Sequence, residues 1–171
     1  RDDVDYLILK PDIELHAFEP YIPFFEQLTQ NVGGRSNVHL NNFALGDFEG
    51  EASYNDTLQS IIGESQVKVR IKTLDSYTSS CGIRTIDFLK IDTEGYEFSV
   101  LKGGQNTIPM CRYIQYETGH NDAAIQSLLE DFGFELHDIG GRNTLCVGKG
   151  EAMPWIPTVL KNGGLVDKTS K

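Results

Sequence analysis

Ile86-Asp87-Phe88-Leu89-Lys90-Ile91-Asp92-Thr93-Glu94-Gly95-Tyr96-Glu97 decides how this chain is read, because a mostly apolar run stops abruptly at a cluster of carboxylates and a glycine. Strands that read as near-continuous apolar runs belong to parallel sheets covered on both faces, and such sheets bind ligands at the carboxyl ends of their strands. The run therefore predicts a buried strand that delivers Asp92, Glu94 and Gly95 to a site. If the backbone stays extended past Asp92, its period of two sends Asp92 and Glu94 to the same side, where two close carboxylates raise one pKa and make a general base. The bland alternative is an acid that caps the next helix near Tyr96, with Gly95 permitting the turn.

Working outward, residues 13–18 read as a short strand ending at Glu19-Pro20, followed by a helix with Phe24, Phe25, Leu28 and Val32 on one face and Gly33-Gly34 as its stop. Residues 38–43 form a second strand leading into Ala44-Leu45-Gly46-Asp47, which completes a βαβ unit. Residues 51–54 suggest a short strand, and residues 67–72 alternate Val67, Val69 and Ile71 with Lys68, Arg70 and Lys72. That basic row reads as a solvated face protecting a sheet edge, with an anion-binding ridge as the alternative. Residues 58–66 between them read as a loop over the site. After the central strand, Phe98, Val100 and Leu101 open a helix closed by Gly103-Gly104. Residues 113–116 are a strand ending at Glu117, and Asn121 or Asp122 caps a helix with the stripe Ile125, Leu128, Leu129 and Phe132, stopped by Gly133. Residues 134–139 and 144–147 complete the core as an antiparallel hairpin around Gly140-Gly141.

Three strands thus end in acids: Glu19, then Asp92 with Glu94 beyond it, then Glu117. In an open α/β sheet those ends share one edge, and an acid at the end of the second strand of a nucleotide-binding unit accepts hydrogen bonds from ribose hydroxyls. Glu19 fits that role, or caps the helix that follows it. Of the four histidines, His16, His39 and His137 lie in strands or a hairpin and read as structural, whereas His120 sits on the loop after Glu117, where an imidazole can take a proton. Asp92, Glu94, Glu117 and His120 form an oxygen-rich set for a hard divalent ion, but no local motif fixes such a site, and the expectation is no metal.

At 171 residues the chain is long enough for one domain with a real core. A formal charge of -10 argues against nucleic acid, whose phosphates need clustered Lys and Arg. The three cysteines, Cys81, Cys111 and Cys146, have neither disulfide-framework nor zinc-site spacing and read as free thiols of a reducing compartment. No apolar run approaches the ~20 residues of a membrane span. The expected location is cytoplasmic.

The strings His16-Ala17-Phe18-Glu19-Pro20, Ala44-Leu45-Gly46-Asp47, Thr73-Leu74-Asp75, and residues 86–97 followed by Val100-Leu101-Lys102-Gly103-Gly104 resemble, in order, the successive signatures of FkbM-type methyltransferases. The resemblance covers residues 13–148. It implies a Rossmann-like class I methyltransferase sheet with helices on both faces, binding S-adenosylmethionine and methylating an oxygen, here that of a small molecule or sugar. By motif, Glu19 with Pro20 holds the adenosine ribose, Ala44 and Leu45 lie near the adenine, Asp92 stands at the methionine end, and Glu94 and Glu117 lie near the acceptor with His120. One departure stands out: the family opens with a strand and a glycine-rich loop, whereas residues 1–12 contain no glycine. The expectation is therefore an N-terminally incomplete domain over residues 1–150, its first strand and glycine loop lying upstream of Arg1, followed by a tail over 151–171. A non-catalytic scaffold domain of the same fold, without cofactor binding, is the competing reading.

Overall fold

The computed structural model describes residues 12–32, 34–54 and 67–151. Their order is β1 (Leu15–Phe18), α1 (Ile22–Val32), β2 (Val38–Asn41), β3 (Ala44–Gly46), β4 (Gly50–Tyr54), β5 (Val67–Thr73), α2 (Leu74–Cys81), β6 (Ile86–Ile91), α3 (Glu97–Lys102), a single 3-10 turn (Ile108–Met110), β7 (Cys111–Glu117), α4 (Asp122–Asp131), β8 (Glu135–Gly140) and β9 (Asn143–Val147). The chain is a mixed α/β protein. The loop expected at residues 58–66, the glycine-free residues 1–11, Gly33 and all of the expected tail beyond Glu151 lie outside the described residues.

Local chemistry accounts for most of these elements. β1, α1 and β2 form the expected right-ordered unit, with β1 and β2 parallel and Leu15 opposite Val38. Gly133, at φ 86°, ends α4, and the Phe134 N–H returns to the Leu129 carbonyl at 3.0 Å, in the manner of a helix C-terminal lock. The β8–β9 hairpin is antiparallel and turns through Gly140, Gly141 and Arg142, all at positive φ. α4 starts differently from expectation: Asn121 makes no side-chain cap, and Asp122 instead accepts from Tyr116 Oη at 3.0 Å and Gln126 Nε2 at 2.8 Å.

Four corrections concern the sheets. The described strands form three ladders rather than one continuous sheet: β1-β2, β3-β5-β4 and β6-β7-β9-β8. Residues 44–46 are a separate strand paired with β5 rather than the run-out of β2. β5 lies in the middle of its ladder, parallel to β3 and antiparallel to β4, so its basic row guards no edge. Lys68 and Arg70 point to solvent, while Lys72 lies over the Phe43 ring at 5.1 Å. β6, finally, is not covered on both faces. Among the described residues it pairs only with β7, and Asp87 and Phe88 are exposed.

The main core is built by β3, α2, β6, α3, β7, α4 and β9, with Leu101, Ile108, Ile114, Tyr116, Ile125 and Leu129 removed from solvent. Each such side chain contributes about 1.5–3 kcal/mol of burial free energy. Cys111 and Cys146 join it as free thiols whose pKa values burial pushes up to about 12, while Cys81 is an exposed free thiol. No helix among the described residues is long and apolar enough to cross a membrane.

Candidate functional site

β6 and β7 are parallel neighbours, with Ile91 opposite Tyr116, so the residues that follow them emerge side by side. Carboxylate oxygens of Asp92, Glu94 and Glu117 come within 4.8 Å of one another. Asp92 and Glu94 do converge, but not by extended alternation. The backbone turns instead through left-handed conformations at Glu94, φ 52°, and Gly95, φ 101°. That turn is held by Glu97, a residue the sequence reading passed over. Its carboxylate is 2% exposed, and one oxygen accepts the Thr93 N–H at 2.8 Å, the Thr93 hydroxyl at 3.0 Å and the Gly95 N–H at 3.1 Å. No acid caps α3, which starts at Tyr96 without a side-chain cap; Glu97 instead holds the turn ahead of the helix.

A shallow pocket of about 100 Å³ opens over the cluster, lined by Glu94, Gly95, Glu97, Glu117, Thr118, Gly119, His120 and Arg142. Burial pushes the Glu117 carboxyl above the usual range; Arg142 opposes this, and the negative charges of Asp92, Glu94 and Glu97 add to it. The raised carboxyl is thus Glu117 on the neighbouring strand, with burial as the first cause, and not one produced by the Asp92 and Glu94 pair as the sequence suggested. Arg142 pairs directly with Glu117. It was missed because it lies 25 residues away in sequence and arrives through the β7–β9 ladder, where Glu117 faces Asn143. Asp92 lies 3.0 Å from Lys90 Nζ. His120 is exposed at the pocket wall and does not join the three carboxylates.

The cofactor-type positions lie elsewhere. Glu19 ends β1 in another ladder and does not join the acid cluster; its Oε1 accepts the Tyr21 N–H at 2.8 Å just ahead of α1, as a helix-capping acid does. Its backbone carbonyl and that of Pro20 accept from Asn42 Nδ2 at 3.0 and 3.1 Å, which fixes the turn after β1 against the end of β2. Ala44 and Leu45 are buried, one in each hydrophobic cluster.

Other motif residues carry packing. Gly103, at the end of α3, sits so close to β3 that a Cβ there would lie 1.9 Å from the Gly46 carbonyl oxygen. Lys102 reaches Asp47 at 2.7 Å across the same contact. Asp75 accepts from the backbone N–H groups of Asn106 and Thr107 and from both their side chains, tying α2 to the turn after α3. Through these contacts Ala44-Leu45-Gly46-Asp47, Thr73-Leu74-Asp75 and Lys102-Gly103-Gly104 lock β3, α2 and α3 to one another.

A curated relative, a 2-O-methyltransferase named NoeI from Sinorhizobium fredii, is 23% identical over 136 residues, which cover 66% of this chain and 56% of the relative. The chain thus spans little more than half the length of that relative. No solved structure matches it significantly. The methyltransferase FkbM domain family matches residues 5–136, most of the chain, and to that family the chain belongs.

Proposed function

We propose that this chain is the Rossmann-like domain of an S-adenosylmethionine-dependent methyltransferase acting on a hydroxyl oxygen of a small molecule or sugar. The carrying observation is the convergence of Asp92, Glu94 and Glu117 at the ends of two parallel strands, over a pocket walled by Arg142 and His120. The family match and the relative's name as a 2-O-methyltransferase support transfer to oxygen. The charge of -10 argues against a nucleic-acid acceptor.

The residues fit the cofactor by charge: its sulfonium and ammonium groups are cations, and the pocket is lined by carboxylates with a single guanidinium. When bound, S-adenosylmethionine supplies an electrophilic methyl group. Asp92 would face the cationic methionine end, Glu19 with Pro20 would hold the ribose, and Ala44 and Leu45 would back the adenine. Burial and its acidic neighbours raise the Glu117 pKa against the opposing pull of Arg142, which strengthens it as a base. It would take the acceptor hydroxyl's proton, with Arg142 holding its carboxylate in place and His120 as the second proton acceptor at the rim. Positioning supplies the larger share, roughly 7 to 11 kcal/mol of the barrier against a rate factor of about 10² to 10⁴ for the base.

The test is calorimetric titration of the full-length protein with S-adenosylmethionine and S-adenosylhomocysteine, followed by transfer of labelled methyl to a panel of hydroxyl acceptors. Binding weakened in Glu19→Ala, with transfer lost in Glu117→Gln while binding persists, is the expected pattern. A parent protein that binds neither ligand refutes the reading and leaves the scaffold domain in its place.

A further inference from the structure

A second group of ligand-type side chains lies at the end of β1 remote from Glu19. β1 and β2 are parallel with His16 directly opposite His39, so both imidazoles stand on one face of the pair. Their rings stack with centroids 4.4 Å apart and planes inclined by 16°. Glu14 lies two residues before His16, and its carboxylate falls on that same face. Glu14 Oε1 is 3.4 Å from His16 Nε2 and 3.3 Å from His39 Nε2. One ligand atom from each of the three residues lies within 4.8 Å of the others.

A hydrogen bond from one histidine would satisfy this carboxylate. Two ring nitrogens brought to the same oxygen from neighbouring strands gather three donor atoms, and rotation of the exposed His39 ring out of the stack would turn both Nε2 lone pairs to one ion. We propose that Glu14, His16 and His39 bind one divalent transition-metal ion of the zinc class through both Nε2 atoms and the Glu14 carboxylate, clamping β1 to β2.

Donor spacing supports this, since ligand atoms held ~2.1 Å from a tetrahedral zinc lie roughly 3.4 Å apart. So does the surrounding shell. His16 Nδ1 lies 2.7 Å from Tyr77 Oη, which also accepts from Asn41 Nδ2 at 3.0 Å. With Nδ1–H donating to the Tyr77 hydroxyl, His16 Nε2 is left to ligate, the second partner usual for metal-bound imidazole. Two imidazoles with one carboxylate favour zinc, copper or nickel over calcium or magnesium, which prefer all-oxygen sites such as the Asp92, Glu94 and Glu117 cluster. His16 is largely covered, whereas His39 and Glu14 are 45% and 69% exposed, so water can complete the coordination. The position gives the ion a structural task. Among the described residues β1 pairs only with β2, a two-stranded ladder is marginal by itself, and this one carries Glu19 at its other end.

The experiment strips the full-length protein with chelator, dialyses it, and titrates it with zinc, cobalt and magnesium ions, reading metal content by mass spectrometry and thermal unfolding in parallel. The expected result is a single zinc-dependent rise in Tm with no equal effect of magnesium. A visible cobalt spectrum of low coordination number should accompany it. His39→Gln and Glu14→Gln, both at exposed positions that leave the core intact, should each weaken zinc by about 100-fold or more. Glu94→Gln, in the acid pocket, should leave zinc affinity unchanged. Zinc failing to bind the parent, surviving undiminished in both His39→Gln and Glu14→Gln, or being lost in Glu94→Gln would overturn the proposal.

Discussion

Glu97 offers the sharpest test of how the site is held. Its side chain is 2% exposed, and a single oxygen accepts three hydrogen bonds, two of them from backbone N–H groups that have to be satisfied for the turn at Glu94 and Gly95 to exist. Glu97→Ala leaves the Thr93 and Gly95 N–H groups without that acceptor, at about 1–3 kcal/mol for each buried orphan. Releasing a buried carboxylate from its desolvated setting returns part of this, so the net loss should be about 2–4 kcal/mol. Glu97→Gln retains an oxygen at the same place and loses only the charge assistance, roughly half the strength of each bond, so it should cost about 1–2 kcal/mol. Urea unfolding of the full-length protein measures both, with an unchanged m-value showing that the same surface is exposed. The variants should also separate functionally: Glu97→Ala should lose methyl transfer beyond its loss of stability, because the turn that sets Asp92 and Glu94 relaxes. If Glu97→Ala lay within about 0.5 kcal/mol of the parent, the scatter of an ordinary surface change, the account of the turn would be wrong.

Gly103→Ala should destabilise by about 3 kcal/mol, the upper part of the overpacking range, because its Cβ would meet the Gly46 carbonyl at 1.9 Å and backbone on both sides resists movement. Gly119→Ala, where a Cβ meets nothing within 4 Å, is the matched control and should leave urea midpoints unchanged. Arg142→Ala should move the acid limb of the kcat/KM profile to higher pH, because Arg142 works against the upward push on Glu117. The sign is set by the base needing its deprotonated form: activity falls as pH drops through the Glu117 pKa, so a higher pKa loses activity sooner. The linked stability runs the other way, being fully present below the unfolded-state value and lost as pH rises through the raised folded-state value. Since Arg142 is 72% exposed, salt should shrink the difference between parent and variant. A limb that stays in place at low salt would remove Glu117 as the titrating base.

Elements whose burial follows a local period were legible from sequence. The stripe of Ile125, Leu128, Leu129 and Phe132 gave α4, and the alternation of Val67, Val69 and Ile71 gave β5. What the alternation could not reveal was that β5 has neighbours on both sides, since strand order depends on partners distant in sequence. α2 was overlooked although its signals are present. Thr73 caps it by accepting the Ser76 N–H at 3.1 Å, and Gly82 ends it at φ 70°. The exposed Phe88 runs against the rule that apolar strands are covered on both faces, and among the described residues β6 is also an edge strand with only β7 beside it.

The acid motif itself divides into two classes that spacing alone could not separate. Glu97 is spent on the backbone, and Asp75 on the turn after α3. Asp92, Glu94 and Glu117 are gathered at one point, where like charges raise the energy of the folded state and no packing need requires them. Glu117 faces this repulsion already partly desolvated, with an exposed arginine as its direct ion-pair partner. A sequence selected for stability alone would place neutral side chains at such a point. The cost is consistent with a site that meets a cation, and a cationic cofactor binding there would relieve the repulsion and stabilise the folded chain in proportion to its affinity.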